Sequence, residues 1–221
     1  LYLEKASIVV TDSLPIYNRL SQLSLQSAPV LLSPGLGKKW LDFFQQEVFT
    51  RQEKTVKNKL VFFGNLRSNS DLSLIRRLSE IYCVDLYGIV QDKFKNSLQN
   101  CNFLGEFCQD QMMHKLLGYD AVILPYKNDE FSKNISPAKY FECLSLKIPI
   151  ISNSKFDHLP LWNDLSIRFD EQDTITELKN NLDITYQYIE NNSKLIDKVL
   201  AKNVWEEKIH EHNRALLNEF S

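Results

Sequence analysis

Four short apolar runs, Leu60–Phe63, Val84–Tyr87, Asn102–Leu104 and Ala121–Leu124, each stop at a strand-ending residue: Gly64, Gly88, Gly105 and Pro125. Runs of this length bounded by Gly or Pro fit buried strands. Helical segments, Asp71–Ile81 and Gln109–Leu117, occupy two of the intervals between them, and a polar stretch occupies the other. Strands alternating with helices in this way lead to a parallel sheet with helices on both faces. The expected fold class is therefore α/β, a doubly wound parallel sheet.

In such sheets ligands bind beyond the carboxyl ends of the strands. Gly64, Gly88 and Gly105 stand at those ends, where glycine allows a ligand close to the backbone. Turns in αβ units also favour glycine for their own geometry, and the residues alone leave both readings open. Gly64-Asn65-Leu66-Arg67 is the strongest of the three, because Arg67 can offer a two-pronged donor to phosphate; a solvated surface arginine is the other reading. Phe107, after Gly105-Glu106, can stack on a base or anchor its loop. His114, on a helix beside Met112, Met113 and Lys115, reads as a surface or half-buried histidine.

The segment Asp120–Asn153 holds the chemistry. Its strand Ala121–Leu124 leads into a polar loop, Tyr126–Ile135. Ser136-Pro137 then opens a helix, with Ser136 as expected N-cap and Pro137 at the first helical position, and Ile148–Ile151 forms the next strand. Amides at the start of this helix make an anion site. Lys139 stands beside it, and Glu142 lies one turn on, roughly 5 Å by helix rise. That separation matches a diphosphate and the ribose hydroxyls of one nucleotide. The competing reading is an ordinary i,i+3 ion pair on a solvated face.

The stretch PAKYFECLSLKIPIIS, residues 137–152, resembles the pattern P-x-K-x-[YF]-E-x-L-[AS]-x-G-x-P-[VI]-[VI]-S of the donor-binding domain of GT-B glycosyltransferases close to family 4. The resemblance spans roughly Leu60–Asp183 and is weaker in the first fifty residues. It implies a Rossmann-like GT-B half, with Ser136, Pro137 and Lys139 at the diphosphate and Glu142 at the ribose. Gly64-Asn65-Leu66-Arg67 resembles the family's G-x-L-x turn, and Glu106 and Phe107 fall where the family lines the nucleobase. Gly88, Tyr126 and Asn134 complete the expected donor-binding set of twelve. Two positions depart from the family: Asn134 stands eight residues before Glu142 where a Glu is frequent, and Lys147 stands where a Gly is usual.

With 221 residues the chain is long enough for one large or two small domains. The expected organisation is 1–50 as the end of an incomplete acceptor-side domain, 51–200 as the nucleotide-sugar domain and 201–221 as a C-terminal helix crossing back to the first part. The short strands Ser7–Thr11 and Pro29–Leu32, with helices Leu14–Leu23 and Lys38–Phe44, bury too little to stand alone. The chain starts in what reads as mid-domain and is expected to be a fragment. Gln46–Asn58 reads as a linker. Near the end, Asp157–Trp162 reads as a short irregular helix and Ser166–Phe169 as the last strand. Three helices follow: a long amphipathic one through Ile175–Ile189, another over Leu195–Leu200, and a third capped by Asn203 with a stripe of Trp205, Ile209, His212, Leu216 and Phe220.

A net charge of −2 provides no basic footprint for nucleic acid. Cys83, Cys101, Cys108 and Cys143 are scattered and read as reduced thiols of a cytosolic protein. No spacing suits a metal, and none is expected. No apolar run approaches a membrane span. The resemblance implies a metal-independent enzyme that moves sugar from a nucleoside-diphosphate sugar to a glycan or lipid-linked acceptor in surface polysaccharide synthesis. It implies no cofactor beyond the donor, with UDP favoured as the nucleotide. A cytoplasmic location is expected, with peripheral association at the inner membrane face through a missing N-terminal half. The alternatives are a nucleotide-sugar epimerase on the same fold and a non-catalytic partner subunit.

Overall fold

The computed structural model of the protein describes residues 2–46 and 58–219. Residues 47–57 of the expected linker Gln46–Asn58 lie outside the described residues, as does Phe220 of the last helical stripe. The side chain of Leu216 is likewise outside the description.

The first part is small. Strands β1 (Val10–Thr11) and β2 (Val30–Leu31) pair in parallel across helix α1 (Leu14–Leu20), and helix α2 (Lys38–Gln46) follows. Ser13 caps α1 by accepting from the Ile16 amide at 3.4 Å. Pro15 stands in the first turn, where its missing N–H would have had no partner. Both strands are shorter than the apolar runs that predict them.

The second part alternates as expected. Its elements are β3 (Lys59–Phe63), α3 (Leu72–Ser79), β4 (Cys83–Tyr87), α4 (Asp92–Lys95), β5 (Cys101–Gly105), α5 (Gln109–Leu116), β6 (Ala121–Ile123), α6 (Lys139–Leu146) and β7 (Ile150–Ile151). Then come α7 (Trp162–Leu165), β8 (Ser166–Ile167), α8 (Ile175–Asn191), α9 (Ser193–Ala201) and α10 (Trp205–Glu219). The sheet order is β5-β4-β3-β6-β7-β8, with every pairing parallel. The chain builds outward from β3 to β5, crosses back to β6, and builds outward the other way. That reversal makes a switch point between β3 and β6, where doubly wound sheets open a crevice.

Alternate residues of β3 feed two cores. Val61 and Phe63 pack with Met112 and Leu116 of α5 and with Tyr140, Phe141 and Leu144 of α6. Leu60 and Phe62 pack with Leu74, Ile75 and Leu78 of α3 and with Leu178 and Leu182 of α8. All four of these β3 residues are buried, as a strand covered on both faces requires. Leu36 and Trp40 join the α6 side, so the first part docks on the helix that carries Lys139.

The chain end meets the same region. The Leu36 amide donates to Asn203 O at 2.7 Å, and the Trp205 amide donates to Leu36 O at 2.9 Å. Lys208 Nζ donates to Ser33 Oγ at 2.8 Å and to Pro34 O at 2.7 Å. Asn203, expected to cap the last helix, instead uses its side-chain amide to donate to Val199 O at 2.8 Å, closing α9.

The helix expected over Asp157–Trp162 is displaced. Residues 157–161 form turns, and α7 begins at Trp162 after Leu161 takes a left-handed φ of 60°. Packing of Trp162 against Phe156, with ring centroids 4.9 Å apart, sets that start. Among the described residues no helix is long and apolar enough to cross a membrane.

Candidate functional site

The strand-end glycines are first of all a backbone device. Gly64, Gly88 and Gly105 have φ of 129°, 113° and 72°. The Gly64 amide donates to Tyr87 O at 2.8 Å and the Gly88 amide to Gly105 O at 2.6 Å, so the sheet ladder runs on through them. A Cβ at Gly88 would lie 2.1 Å from the Gly64 carbonyl oxygen. Gly88 is thus required by its neighbour strand and lies away from the cleft lining. Gly64 does lie in the lining, and the space where its Cβ would stand is taken by Lys139, whose Cε and Nζ come within 2.9 Å of it.

A cleft of about 970 Å³ opens at the switch point, beyond the ends of β3 and β6. The loop after β3 forms one wall through Gly64, Asn65 and Arg67 to Ser70. The loop after β6 forms another through Tyr126, Asp129 and Phe131, and Ser136 to Lys139 close the floor. Eight of the twelve predicted residues line it: Gly64, Asn65, Arg67, Phe107, Tyr126, Ser136, Pro137 and Lys139. Two cations, Arg67 and Lys139, face one carboxylate, Asp129, which the Ser132 amide holds below the usual carboxylate range by a 2.8 Å hydrogen bond. An anion gains from that balance.

The approach to α6 differs from the expected cap. The helix begins at Lys139 with Ala138 before it, and Ser136 does not cap it. The Tyr140 and Phe141 amides turn back to Pro137 O and Ala138 O. The amides of Ala138 and Lys139 donate to no carbonyl among the described residues, which leaves them for a ligand. The Ser136 hydroxyl instead meets His158 Nε2 at 3.0 Å. His158 was not legible from the helix pattern, because it arrives from the turn after β7.

Lys139 and Glu142 do not form the ion pair of the competing reading. Lys139 Nζ lies over the Phe63 ring, 5.5 Å from its centroid. Glu142 Oε1 accepts from Gln109 Nε2 at 3.3 Å, outside the cleft lining. Burial pushes the Glu142 carboxyl up, and the Lys139 charge pulls it partly back.

Phe107 meets Phe63 and Tyr87 edge-on, with centroids 6.1 and 6.4 Å apart, while still reaching the cleft. Tyr126 meets Phe156 edge-on at 5.5 Å. Asn65 Oδ1 accepts from the Ile89 amide at 3.2 Å, tying the β3 and β4 ends together. Asn134 lies outside the lining: it accepts from Arg19 of α1 and donates to Glu130 O. Glu106 is exposed and also outside the lining. Sequence reasoning passed over Ser68–Ser70, Asp129 and Phe131; Phe131 is 66% exposed at the cleft, a large aromatic left in solvent. The four cysteines are free thiols, and among the described residues no three His, Cys, Asp or Glu side chains gather to hold a metal.

No protein-family model and no curated protein matches the sequence. Solved structures do match. The catalytic domain of starch synthase IV from Arabidopsis thaliana, bound to ADP and acarbose, superposes with a TM-score of 0.52 at 14% identity, over 95% of this chain and 55% of that one. AviGT4, a glycosyltransferase involved in avilamycin A biosynthesis, superposes at 0.49 and 11% identity, over 77% of this chain and 59% of that one. The chain thus spans a little over half the length of these structures. At this identity the likeness is one of fold, and the fold is the Rossmann-like α/β architecture of GT-B glycosyltransferases.

Proposed function

We propose that this chain is the donor-binding half of a metal-independent GT-B glycosyltransferase of the family 4 type, with residues 1–50 as the end of its acceptor-side domain. It takes a nucleoside-diphosphate sugar, with UDP favoured, and serves transfer to a glycan or lipid-linked acceptor. The observation that carries the reading is the coincidence at the switch point: a roomy cleft, the undonated amides of Ala138 and Lys139 at the start of α6, and the Lys139 and Arg67 cations. The starch synthase domain of this fold was solved with ADP bound, which supports a nucleotide in the corresponding half.

The chemistry follows from charge. As the bond to the sugar breaks, negative charge grows on the departing diphosphate. Amides and cations fixed where that charge develops lower the barrier without rearranging. Phe107 offers its face to the base. Glu142 takes the ribose hydroxyls by exchanging its long hydrogen bond from Gln109 for two charge-assisted ones.

A second reading, a nucleotide-binding subunit without catalysis, gains from Asn134. This residue stands at the place of the frequent Glu and is held by Arg19 and Glu130 rather than by the cleft. Product analysis with a panel of nucleotide sugars separates the two. Slow release of free sugar from one donor, lost in Lys139→Ala, supports the transferase. Tight binding without turnover of any donor, both in this chain and when a complete acceptor-side domain is supplied with it, supports the subunit.

A further inference from the structure

Ser136, expected at the diphosphate, is paired with His158, to which the reading above gives no task. Ser136 is 7% exposed and lines the cleft floor, and its Oγ lies 3.0 Å from His158 Nε2. The imidazole is set by Phe156, whose ring meets it edge-on with centroids 6.2 Å apart. A serine hydroxyl has one proton and two lone pairs. Given to Nε2, that proton leaves only lone pairs to face the cleft, and an anion there is repelled. With the proton on Nε2, the imidazole donates and the serine proton is free to turn into the cleft. Burial disfavours the doubly protonated ring, and Asp157 in the same turn works against that, so the neutral ring has both tautomers open to it.

We propose that His158 is a positioning residue for phosphate recognition: its Nε2–H donates to Ser136 Oγ and so aims the Ser136 hydroxyl proton at the diphosphate. The inference rests on the donor-site reading and adds to it a donor whose aim is set from 22 residues away. It is carried by the cleft and the half-buried contact between the buried Ser136 and the His158 imidazole. The charged groups facing the pair's surroundings are Asp157 on its own turn, Lys139 on the floor, and Arg67 and Asp129 on the walls.

The test is made on the whole chain. Long-range ¹⁵N–¹H spectra of the histidine rings, with His158 assigned by its loss in His158→Gln, are recorded during titration with UDP and with inorganic pyrophosphate. At saturation the Nε2 resonance of His158 moves to the protonated range, while His114, on the exposed side of α5, stays put. Calorimetry then compares UDP with uridine. His158→Phe keeps the ring volume and loses about tenfold in UDP affinity, a hydrogen bond to a charged group, with uridine unchanged. His158→Gln, whose amide can donate, stays near wild type. UDP binding with an unprotonated Nε2 at saturation overturns this inference alone, as does an equal loss of UDP and uridine in His158→Phe. Wild-type protein that binds none of UDP, ADP, GDP and pyrophosphate overturns the donor-site reading and this inference together.

Discussion

Replacing Gly88 by Ala tests whether the glycine ladder positions the cleft. Gly88 has φ 113°, a region other residues enter at a cost of about 1–3 kcal/mol. The added Cβ would sit 2.1 Å from Gly64 O and 2.7 Å from Gly64 C, both backbone atoms, so no rotamer change relieves it. Strand ends β3 and β4 must part by about an ångström or more to reach ordinary contact. That movement strains the Gly64–Tyr87 and Gly88–Gly105 hydrogen bonds, 2.8 and 2.6 Å long, each worth about 1 kcal/mol. The sum is a loss of roughly 3–5 kcal/mol, a large part of a domain's stability. Urea unfolding followed by tryptophan fluorescence reads it as a lower midpoint with an unchanged slope. Because Lys139 packs against Gly64, the variant that remains folded should also bind diphosphate more weakly. A midpoint shift worth less than about 1 kcal/mol would show that the ladder is not rigid and that the argument from close approach is wrong.

Three further outcomes are expected. Lys147 closes α6 in the left-handed region, at φ 52°, and its Nζ bonds Ser193 Oγ at 2.6 Å and Asp197 at 2.9 Å; Lys147→Ala keeps the backbone cost and loses both contacts, so urea unfolding should place it about 1 kcal/mol below Lys147→Gly, which sheds the backbone cost. Tyr119→Phe removes the 2.6 Å hydrogen bond to Asp85, a carboxylate only 8% exposed, and should cost about 1–3 kcal/mol by the same assay. Burial raises the Glu142 carboxyl, so the folded state holds that proton more tightly than the unfolded chain, and stability rises as pH falls from above the folded value to the ordinary carboxylate value; Glu142→Gln should therefore be the more stable protein at neutral pH, the gap closing in acid, while losing preference for a ribonucleotide over its 2′-deoxy analogue.

Much of this fold was legible because its signals are local. Gly64, Gly88, Gly105 and Pro125 mark strand ends by backbone chemistry that needs no partner, and the strands they close were found within a residue or two. The periodic residues Leu178, Leu182, Tyr186 and Ile189 placed α8 for the same reason. What was missed depends on contacts distant in sequence. Ser136 reads as a cap from its neighbours, yet its hydroxyl is claimed by His158, which the packing of Phe156 and Trp162 delivers. Those same rings move α7 onward to Trp162. Lys147 reads as a flaw at a glycine position, and only α9, with Ser193 and Asp197, shows how a lysine is held there. At the site, the cleft lining contains the predicted phosphate residues but not Gly88, Glu106, Asn134 or Glu142. Spacing along α6 predicts which residues share a face and cannot tell which of them Gln109 at the start of α5 will meet.

The measurement closest to the central claim is calorimetric titration of the wild-type chain and Lys139→Ala with UDP, ADP, GDP and uridine, with chelator present. The account predicts at least one diphosphate bound without metal. Its affinity should fall in Lys139→Ala by about 1.5–3 kcal/mol, the range for hydrogen bonds to a charged group, with the nucleoside unaffected. A wild-type chain that binds no diphosphate up to millimolar concentration, or a Lys139→Ala variant that binds it as tightly as wild type, would contradict the account.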